Sequence, residues 1–476
     1  MSKSPDPGGP AAAAIAPPPK GLALAAVLGP SIVWCAEYIG SGEVILATRT
    51  GAVLGVGVLW AVVLGVALKY FIGLAGGWYT AATGEGQIDL LSRLPGPKNA
   101  VVWLVLVAQL AASVVSIGSV SSAAGVFFSA ITPLRADVAG WMVALVAVAM
   151  AWVGEFKPLK IVMACLITVT LVGVVAIAAQ VAPPLAELLA GLVPTVPEVP
   201  AWALAKEDVS GSAWAEMLPL LGWGAGGFAS QVWYTYWIMG AGYGATAGGR
   251  QGRPADVERL RRLSDEEVDR LRGWRRVVTF DATVALVVGA SVTSCFLIAG
   301  AGVLRPLELA PEGPGVATTL AEVFGGQWGS TGATLFLVGG AAALLSTQIA
   351  QITGWPMLLD DCVRICLPRI AAGKSPLRRR RFWLGFYLLT SMTIVHQFGE
   401  KPVALVKTAA IADGLLLTPV QALAVLVGLY WVMPRLFTPE VARRLRPGPW
   451  IGVGLVASFV VFTYFCVVQA PKLLFE

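Results

Sequence analysis

The stretch that decides the fold is residues 33–50, VWCAEYIGSGEVILATRT. Within it, residues 40–42 (Gly-Ser-Gly) interrupt a long apolar segment, and Glu37 and Glu43 flank the interruption. A helix that breaks at membrane depth exposes backbone groups that need partners, so such breaks persist mainly where they line a binding site. An acidic residue at that depth is costly and is usually functional. The stretch therefore predicts a membrane transporter.

The composition agrees with this class. The 476 residues are 57% hydrophobic and 13% charged, with a mean hydropathy of +0.74, which is too apolar for a soluble multidomain protein. The net charge of +6 lies in short stretches between apolar runs, which argues against a nucleic-acid-binding face. No nucleophile–base pair or phosphate loop is evident. We therefore expect neither an enzyme nor a cofactor, with membrane lipid and a transported ion or small solute as the partners.

Eleven apolar segments are long enough to span a bilayer, which takes about 20 residues. They cover 22–48, 52–76, 100–130, 138–154, 159–182, 212–240, 277–304, 331–357, 382–399, 402–433 and 449–470. If the amino terminus is inside, 26 of the 34 Lys and Arg residues fall on the cytoplasmic side and six on the outer side. This bias predicts a multi-pass protein of the cell (inner) membrane, with a cytoplasmic amino terminus and an outer carboxyl terminus.

A second glycine-rich interruption occurs in the sixth segment, at residues 222–231 (GWGAGGFASQ), five helices after the first. Interrupted helices at matching positions of two halves indicate an inverted-repeat transporter with its site between helices 1 and 6. The alternative is that these glycines only permit close helix packing. The predicted organisation is a disordered cytoplasmic tail (1–20), a first five-helix repeat (21–182), an extracellular loop (183–211), a second repeat (212–433) with a cytoplasmic loop (241–276), and an additional helix (434–476).

Several segments resemble the natural resistance-associated macrophage protein (Nramp) metal transporters. They are Gly29-Pro30 with residues 38–43, residues 344–348 with 352–354, Asp281, and residues 416–419. The resemblance implies an all-α, LeuT-type 5+5 inverted repeat with broken helices 1 and 6.

The departures from the family pattern bear on the substrate. By position, the family's metal-binding Asp is Gly40 here, its Asn is Glu43, and its Met-Pro-His in helix 6 falls on residues 229–231 (Ala-Ser-Gln). Losing the methionine removes the soft ligand that favours transition metals. The resemblance therefore points to a divergent branch near the Nramp-related magnesium transporters.

The positions that the family uses for proton passage also differ. The helix 3 acids fall on Ser116 and Ser119, and the second helix 6 histidine falls on Tyr236. None of these side chains titrates readily near neutral pH. We expect transport without the family's usual proton route.

The predicted substrate site contains Gly40, Glu43, Glu37, Gly226, Ala229 and Gln231, with Glu43 and Glu37 as metal ligands and Glu43 as the main charged group. Oxygen ligands with retained waters suit magnesium, with manganese as a second candidate. A structural ion pair, with Arg49 or Lys407 for example, is the alternative role for Glu43. Two other functions stay open: a symporter or uniporter for a small organic or anionic solute, and a non-transporting membrane receptor.

Overall fold

The computed structural model describes residues 14–21, 23–24, 29–153, 157–206, 208–224, 226–246, 252–373 and 375–475. Within these ranges the regular secondary structure is helical throughout, as the sequence predicts. Eight helical segments in this part of the chain are long and apolar enough to cross a membrane. Predicted spans 1 and 6 are broken into shorter helices, and span 9 is less apolar than the eight. The protein is a multi-pass membrane protein.

The first repeat contains spans 1 to 5. Span 1 is Gly29–Tyr38, followed after a break by Ser41–Ala47 and Thr48–Leu54; span 2 is Leu59–Thr83; span 3 is Ala100–Ile131; span 4 is Ala136–Val153; span 5 is Lys157–Val181. A short helix, Gln87–Ser92, joins spans 2 and 3, and two more, Leu185–Ala190 and Ala201–Leu204, lie between the repeats.

The second repeat contains spans 6 to 10, and span 11 follows. Span 6 is Trp214–Trp223 and Phe228–Ala241, and span 7 is Asp265–Ala299 with Gly300–Leu304. The helix Val316–Cys366 kinks at Gly329, and span 8 is the part after the kink. Span 9 is Pro376–Phe398; span 10 is Pro402–Gly414 with Thr418–Val427, Gly428–Val432 and Met433–Leu436; span 11 is Pro449–Tyr464 with Phe465–Gln469.

Corresponding spans of the two repeats pack against each other. Span 1 contacts span 6, span 2 contacts span 7, span 3 contacts span 8, and span 4 contacts span 9. Spans 1 and 6 are each broken near the middle. This is the arrangement of two inverted repeats around a pseudo-two-fold axis. The predicted fold class is confirmed.

Some helix ends differ from the prediction. Span 1 runs on to Leu54, and a 3₁₀ turn at Gly55–Val58, whose first residue has φ +73°, leads into span 2. The second part of the predicted loop 241–276 is helical and continuous with span 7, because Ser264 and Glu267 form a capping box at its start. Span 10 has an interruption at residues 415–417 that apolarity alone does not reveal.

The part of the amino-terminal tail that the structure describes lies against span 7. The Ile15 side chain is buried, and its carbonyl accepts a hydrogen bond from Arg270 at 2.7 Å. Trp274 Nε1 donates to the Ala16 carbonyl at 2.8 Å. Residues 1–13 of the predicted disordered tail lie outside the described residues.

Glycines let span 6 approach span 10 at backbone distance. A Cβ added to Gly222 would lie 2.3 Å from the carbonyl oxygen of Ala410. A Cβ on Gly414 would lie 2.0 Å from the carbonyl oxygen of Gly222. The first half of span 6 is therefore held against span 10 with no room for a side chain.

We expect Gly222→Ala to lower the free energy of unfolding by about 1–3 kcal/mol, because the added methyl group overpacks a backbone contact. Gly240→Ala is the matched control in the same span, since a Cβ there meets nothing within 4 Å. The control should be neutral or more stable by up to about 1 kcal/mol. Thermal unfolding in detergent compares the two, and equal stability of both variants would contradict the packing argument.

Candidate substrate site at the helix breaks

The break in span 1 is closed by a threonine of span 8. The first half of the span ends at Tyr38 and the second begins at Ser41. Thr347 Oγ1 donates to the carbonyl oxygen of Glu37 at 3.0 Å. A Cβ on Gly40 would lie 2.1 Å from that hydroxyl oxygen, so the glycine makes room for it. One carbonyl freed by the break therefore has a partner.

Glu43 serves the second half of span 1. Its carboxylate accepts from the Gly40 amide at 3.4 Å and from Thr293 Oγ1 of span 7 at 3.3 Å. The residue is fully buried at 0% exposure. A carboxylate at a helix amino terminus is favoured by the unpaired amides and the helix dipole. Glu43 thus binds span 7 and the helix end.

Lys69 of span 2 serves the carboxyl end of the first half of span 6. Its Nζ donates to three backbone carbonyls, those of Gly222 at 2.6 Å, Gly224 at 3.0 Å and Gly226 at 2.7 Å. These are the carbonyls that the break deprives of helical partners. The ammonium group therefore uses all three of its protons to close this helix end.

Asp413 of span 10 serves the amino end of the second half of span 6. Its carboxylate accepts from the Ala229 amide at 3.2 Å and from Trp223 Nε1 at 3.2 Å. A Cβ on Gly227 would lie 2.2 Å from the same carboxylate, which explains the glycine at this position. The break in span 6 is thus held by a buried cation at one end and a buried anion at the other.

Glu37 connects the two broken spans directly. Its carboxylate accepts a hydrogen bond from Ser230 Oγ in span 6, and that hydroxyl oxygen accepts from Trp34 Nε1 at 3.1 Å. The residue is 6% exposed. Unlike Glu43 and Asp413, its carboxylate makes no hydrogen bond to a helix-end amide in the described structure.

Two cavities meet at Glu37. A small one of about 20 Å³ lies at the breaks. Its lining residues are Glu37, Tyr38, Ser41, Gly42, Trp223, Gly226, Gly227, Trp233, Thr347, Gln351 and Asp413. A larger one of about 470 Å³ extends along the first half of span 1 between spans 4, 5, 6, 8 and 9. Glu37 and Trp233 border both cavities.

The structure brings only part of the predicted site together. Glu37 and Gly226 line the small cavity, whereas Gly40, Glu43, Ala229 and Gln231 do not. The Gly40 amide donates to the Glu43 carboxylate, and the Ala229 amide donates to Asp413. Gln231 points towards span 2, since its Oε1 is 2.6 Å from where a Cβ of Gly73 would be.

The three positions predicted to have lost the family's proton route are hydrogen-bonded polar groups. Ser116 Oγ donates to Gln351 Oε1 at 3.1 Å, and Ser119 Oγ donates to the Ser116 carbonyl at 2.8 Å. Tyr236 donates to Asp361 at 2.8 Å. Ser116 therefore reaches the small cavity through Gln351.

Sequence reasoning missed four residues that shape the site, namely Lys69, Thr347, Gln351 and Asp413. Lys69 and Asp413 carried a usable signal, because each is a charged residue inside an apolar run. Thr347 and Gln351 lie in or beside a segment that resembles the family's eighth helix, but no local pattern shows that they face the breaks. Their partners lie on other spans, so their positions depend on tertiary packing.

Buried and partly buried ion pairs lie on both sides of the breaks. On one side, Glu216 of span 6 pairs with Arg49 at 3.0 Å and with Lys407 at 2.7 Å. On the other side, Arg364 of span 8 pairs with Asp89 at 2.8 Å and with Asp361 at 3.3 Å. Burial raises the pKa of the Asp89 carboxyl, and Arg364 opposes that rise. Arg49 and Lys407 are thus partners of Glu216.

No group of three or more His, Cys, Asp or Glu side chains in the described part of the chain is placed to hold a metal ion. The small cavity instead combines two carboxylates, Glu37 and Asp413, with hydroxyl, amide and indole groups. It contains no sulfur or imidazole ligand among its lining residues. This set of oxygen donors suits a hard cation that keeps part of its water shell.

The chain shares its fold with solved transporters. A crystal structure of the Eremococcus coleocola manganese transporter, in complex with an aromatic bis-isothiourea substituted compound, matches with a TM-score of 0.68 at 15% identity, over 95% of this chain and 88% of that chain. Mhp1, a nucleobase-cation-symport-1 family transporter with bromovinylhydantoin bound, matches with a TM-score of 0.52 at 13% identity, over 92% and 91%.

MhsT in complex with L-phenylalanine matches with a TM-score of 0.53 at 13% identity, over 93% of this chain and 97% of that chain. No protein-family model matches the chain, and no curated protein matches it in sequence. At such low identities the likeness establishes the fold, and the chemistry of the site has to be argued from the residues themselves.

We expect Glu216→Gln to destabilise the protein by about 3–5 kcal/mol, because it leaves the buried cations Arg49 and Lys407 without their shared anion. Glu187→Gln on an exposed helix between the repeats is the control and should change stability by less than about 0.5 kcal/mol. Thermal unfolding in detergent measures both. A Glu216→Gln variant as stable as the control would show that the ion pairs do not hold this side of the core.

Proposed function

We propose that the protein is a secondary transporter that moves a hard divalent cation by alternating access, with magnesium as the first candidate and manganese as the second. The observation that carries this proposal is the small cavity at the helix breaks, which Glu37 and Asp413 both line among other oxygen-bearing groups. Magnesium is usually bound through one or two carboxylates with several waters retained. A cluster of three acidic or sulfur ligands is therefore not required.

The size of the two cavities supports this assignment. A volume of about 20 Å³ holds one water-sized group at the breaks. The adjoining cavity of about 470 Å³ gives space for the water shell on the way to Glu37. Because Glu37 and Asp413 line the small cavity and Glu43 does not, we assign the main charged role to Glu37, not to Glu43 as the sequence predicts, and a second ligand role to Asp413.

The arrangement of closures supports alternating access. The Glu216 ion pairs seal one side of the breaks, while the large cavity lies on the other side, along the first half of span 1. With the amino terminus in the cytoplasm, as the Lys and Arg distribution predicts, this state opens inward in the cell (inner) membrane. Ser116, Ser119 and Tyr236 support transport without the family's proton route.

We infer that the chain belongs to a divergent branch of the Nramp family near its magnesium transporters. The shared fold with a manganese transporter and the family-like segments in spans 1 and 8 support this inference. The ligand set differs, since Gly40 stands where the family has an aspartate.

A second candidate substrate is a small organic solute that carries an amine. The large cavity favours it, because its lining includes the aromatic side chains of Trp233, Tyr236 and Trp237 with Glu37 at one end. Pockets of this volume, largely apolar with a few polar groups, suit small molecules. The same carboxylate would then bind an ammonium group.

Glu37→Gln should weaken magnesium binding by about tenfold or more, because losing a charge-assisted ligand costs about 1.5–3 kcal/mol. The substitution keeps the volume, and the amide oxygen can still accept from Ser230. Calorimetry with purified protein measures binding, and a magnesium-sensitive dye inside liposomes measures flux. Asp413→Asn should also weaken binding, with some loss of stability.

The matched control is Glu43→Gln, which removes the other carboxylate of the same span. It should leave magnesium binding within about threefold, because Glu43 binds at a helix end and does not line the small cavity. Loss of binding in Glu43→Gln with full binding in Glu37→Gln would reverse the assignment. Absence of magnesium flux in the wild-type protein, together with uptake of an organic amine, would favour the second candidate.

Ion selectivity gives a separate prediction. Without a sulfur donor, the site should bind manganese or cadmium no more tightly than magnesium. Thr347→Cys places a thiol beside Glu37 and should increase cadmium affinity. Thr353→Cys should not, because Thr353 lines the large cavity and not the small one. Sub-micromolar manganese binding to the wild-type protein in calorimetry would contradict the proposed ligand set.

A further inference from the structure

Lys69 is a buried charge whose position the proposed substrate site does not explain. Its side chain is 2% exposed, and it lies on span 2 with its ammonium group against the break in span 6. Three carbonyl oxygens, of Gly222, Gly224 and Gly226, converge on it at 2.6, 3.0 and 2.7 Å. A single positive charge is thus held in a cup of backbone oxygens.

This cup has the character of a cation site. It lies at the carboxyl end of a half-helix, where the dipole is negative and the carbonyls have lost their helical partners. In transporters with broken helices, such unwound carbonyls coordinate alkali ions. The carboxylate of Asp413, which accepts hydrogen bonds from Trp223 Nε1 and the Ala229 amide at the same break, adds negative potential nearby.

A buried side-chain amide, that of Gln231, also lies next to Lys69. Gln231 and Lys69 both line a void of about 10 Å³. Gln231 is 2% exposed, and neither polar atom of its side chain has a hydrogen-bond partner among the described residues. A buried amide without partners costs free energy of folding, and a bound ion or water would satisfy it.

We propose that Lys69 is a tethered cation that fills a monovalent-cation site built into the break of span 6. The wild-type chain supplies this charge itself and binds no alkali ion there. Shortening the side chain empties the cup and leaves three carbonyls, with the Gln231 amide as a fourth oxygen, for sodium, potassium or ammonium ions. The proposal concerns this cup alone and does not depend on what the small cavity transports.

The test is the thermal unfolding of purified protein in detergent with choline, sodium, potassium or ammonium chloride at equal ionic strength. Lys69→Ala should be less stable than the wild type in choline chloride. At least one of the small cations should raise its midpoint by about 2 °C or more in a saturable manner, because a ligand that binds only the folded state stabilises it. The wild-type midpoint should be the same in all four salts.

Two further variants show whether the effect belongs to the cup. Lys69→Met fills most of the space with an apolar chain and should show no preference among the salts. Gln231→Leu added to Lys69→Ala should weaken the cation response, because it removes the fourth oxygen. Glu37→Gln, which tests the proposed transport function, should leave the cation response unchanged when it is added to Lys69→Ala. The two proposals can therefore fail separately.

Several outcomes would overturn the proposal. One is a folded Lys69→Ala variant whose midpoint is the same in all four salts. Another is a wild-type protein that is itself stabilised saturably by sodium or potassium. A third is that Lys69→Ala and Lys69→Ser both fail to fold even in ammonium chloride, since a refilled site should restore the fold. Folding that requires one of the small cations would support it.

Discussion

The structure depends on satisfying backbone groups in a place without water. Each broken helix at membrane depth exposes amides and carbonyls, and an unsatisfied group there costs several kcal/mol. The protein meets this cost with side chains from neighbouring spans. In span 6, Lys69 donates to carbonyl oxygens, and Asp413 accepts from the Ala229 amide. In span 1, Thr347 donates to a carbonyl oxygen, and Glu43 accepts from an amide. The breaks, the packing of the repeats and the cavities between them all follow from these contacts.

The same contacts distinguish the charged groups that bind the backbone at a helix end from Glu37, which binds a side chain. Lys69, Asp413 and Glu43 each bind the backbone at a helix end, so removing any of them exposes a helix terminus as well as a charge. Glu37 instead binds a hydroxyl group of the opposite repeat and borders both cavities. A carboxylate bonded to a side chain can exchange that partner for a cation at a lower free-energy cost than a carboxylate bonded to a helix end. Glu37 is therefore the better candidate for the main cation ligand.

The sequence predicts the fold better than it predicts the site. Interruptions at matching positions, together with apolar runs of spanning length, are local signals, and they predict the broken spans and the two repeats. The site depends on contacts between distant parts of the chain, such as Lys69 with residues 222–226 and Ala229 with Asp413. Local sequence cannot say which of two acids on span 1 faces span 6, because the break turns Glu37 and Glu43 towards different neighbours. The sequence also does not predict the interruption of span 10, because residues 415–417 are three leucines and read as a continuous apolar helix.

On the proposed function, the charged groups at the breaks differ from those that the resemblance implies. Where the resemblance expects an aspartate, Gly40 leaves space that the Thr347 hydroxyl occupies. A carboxylate has not disappeared from the region, because Glu37 lies one helical turn earlier and Asp413 enters from span 10. Two acids on different spans can come together only when the breaks of spans 1 and 6 are aligned. A cation held between them would therefore bind one arrangement of the two repeats more tightly than another, which is the differential affinity that alternating access requires.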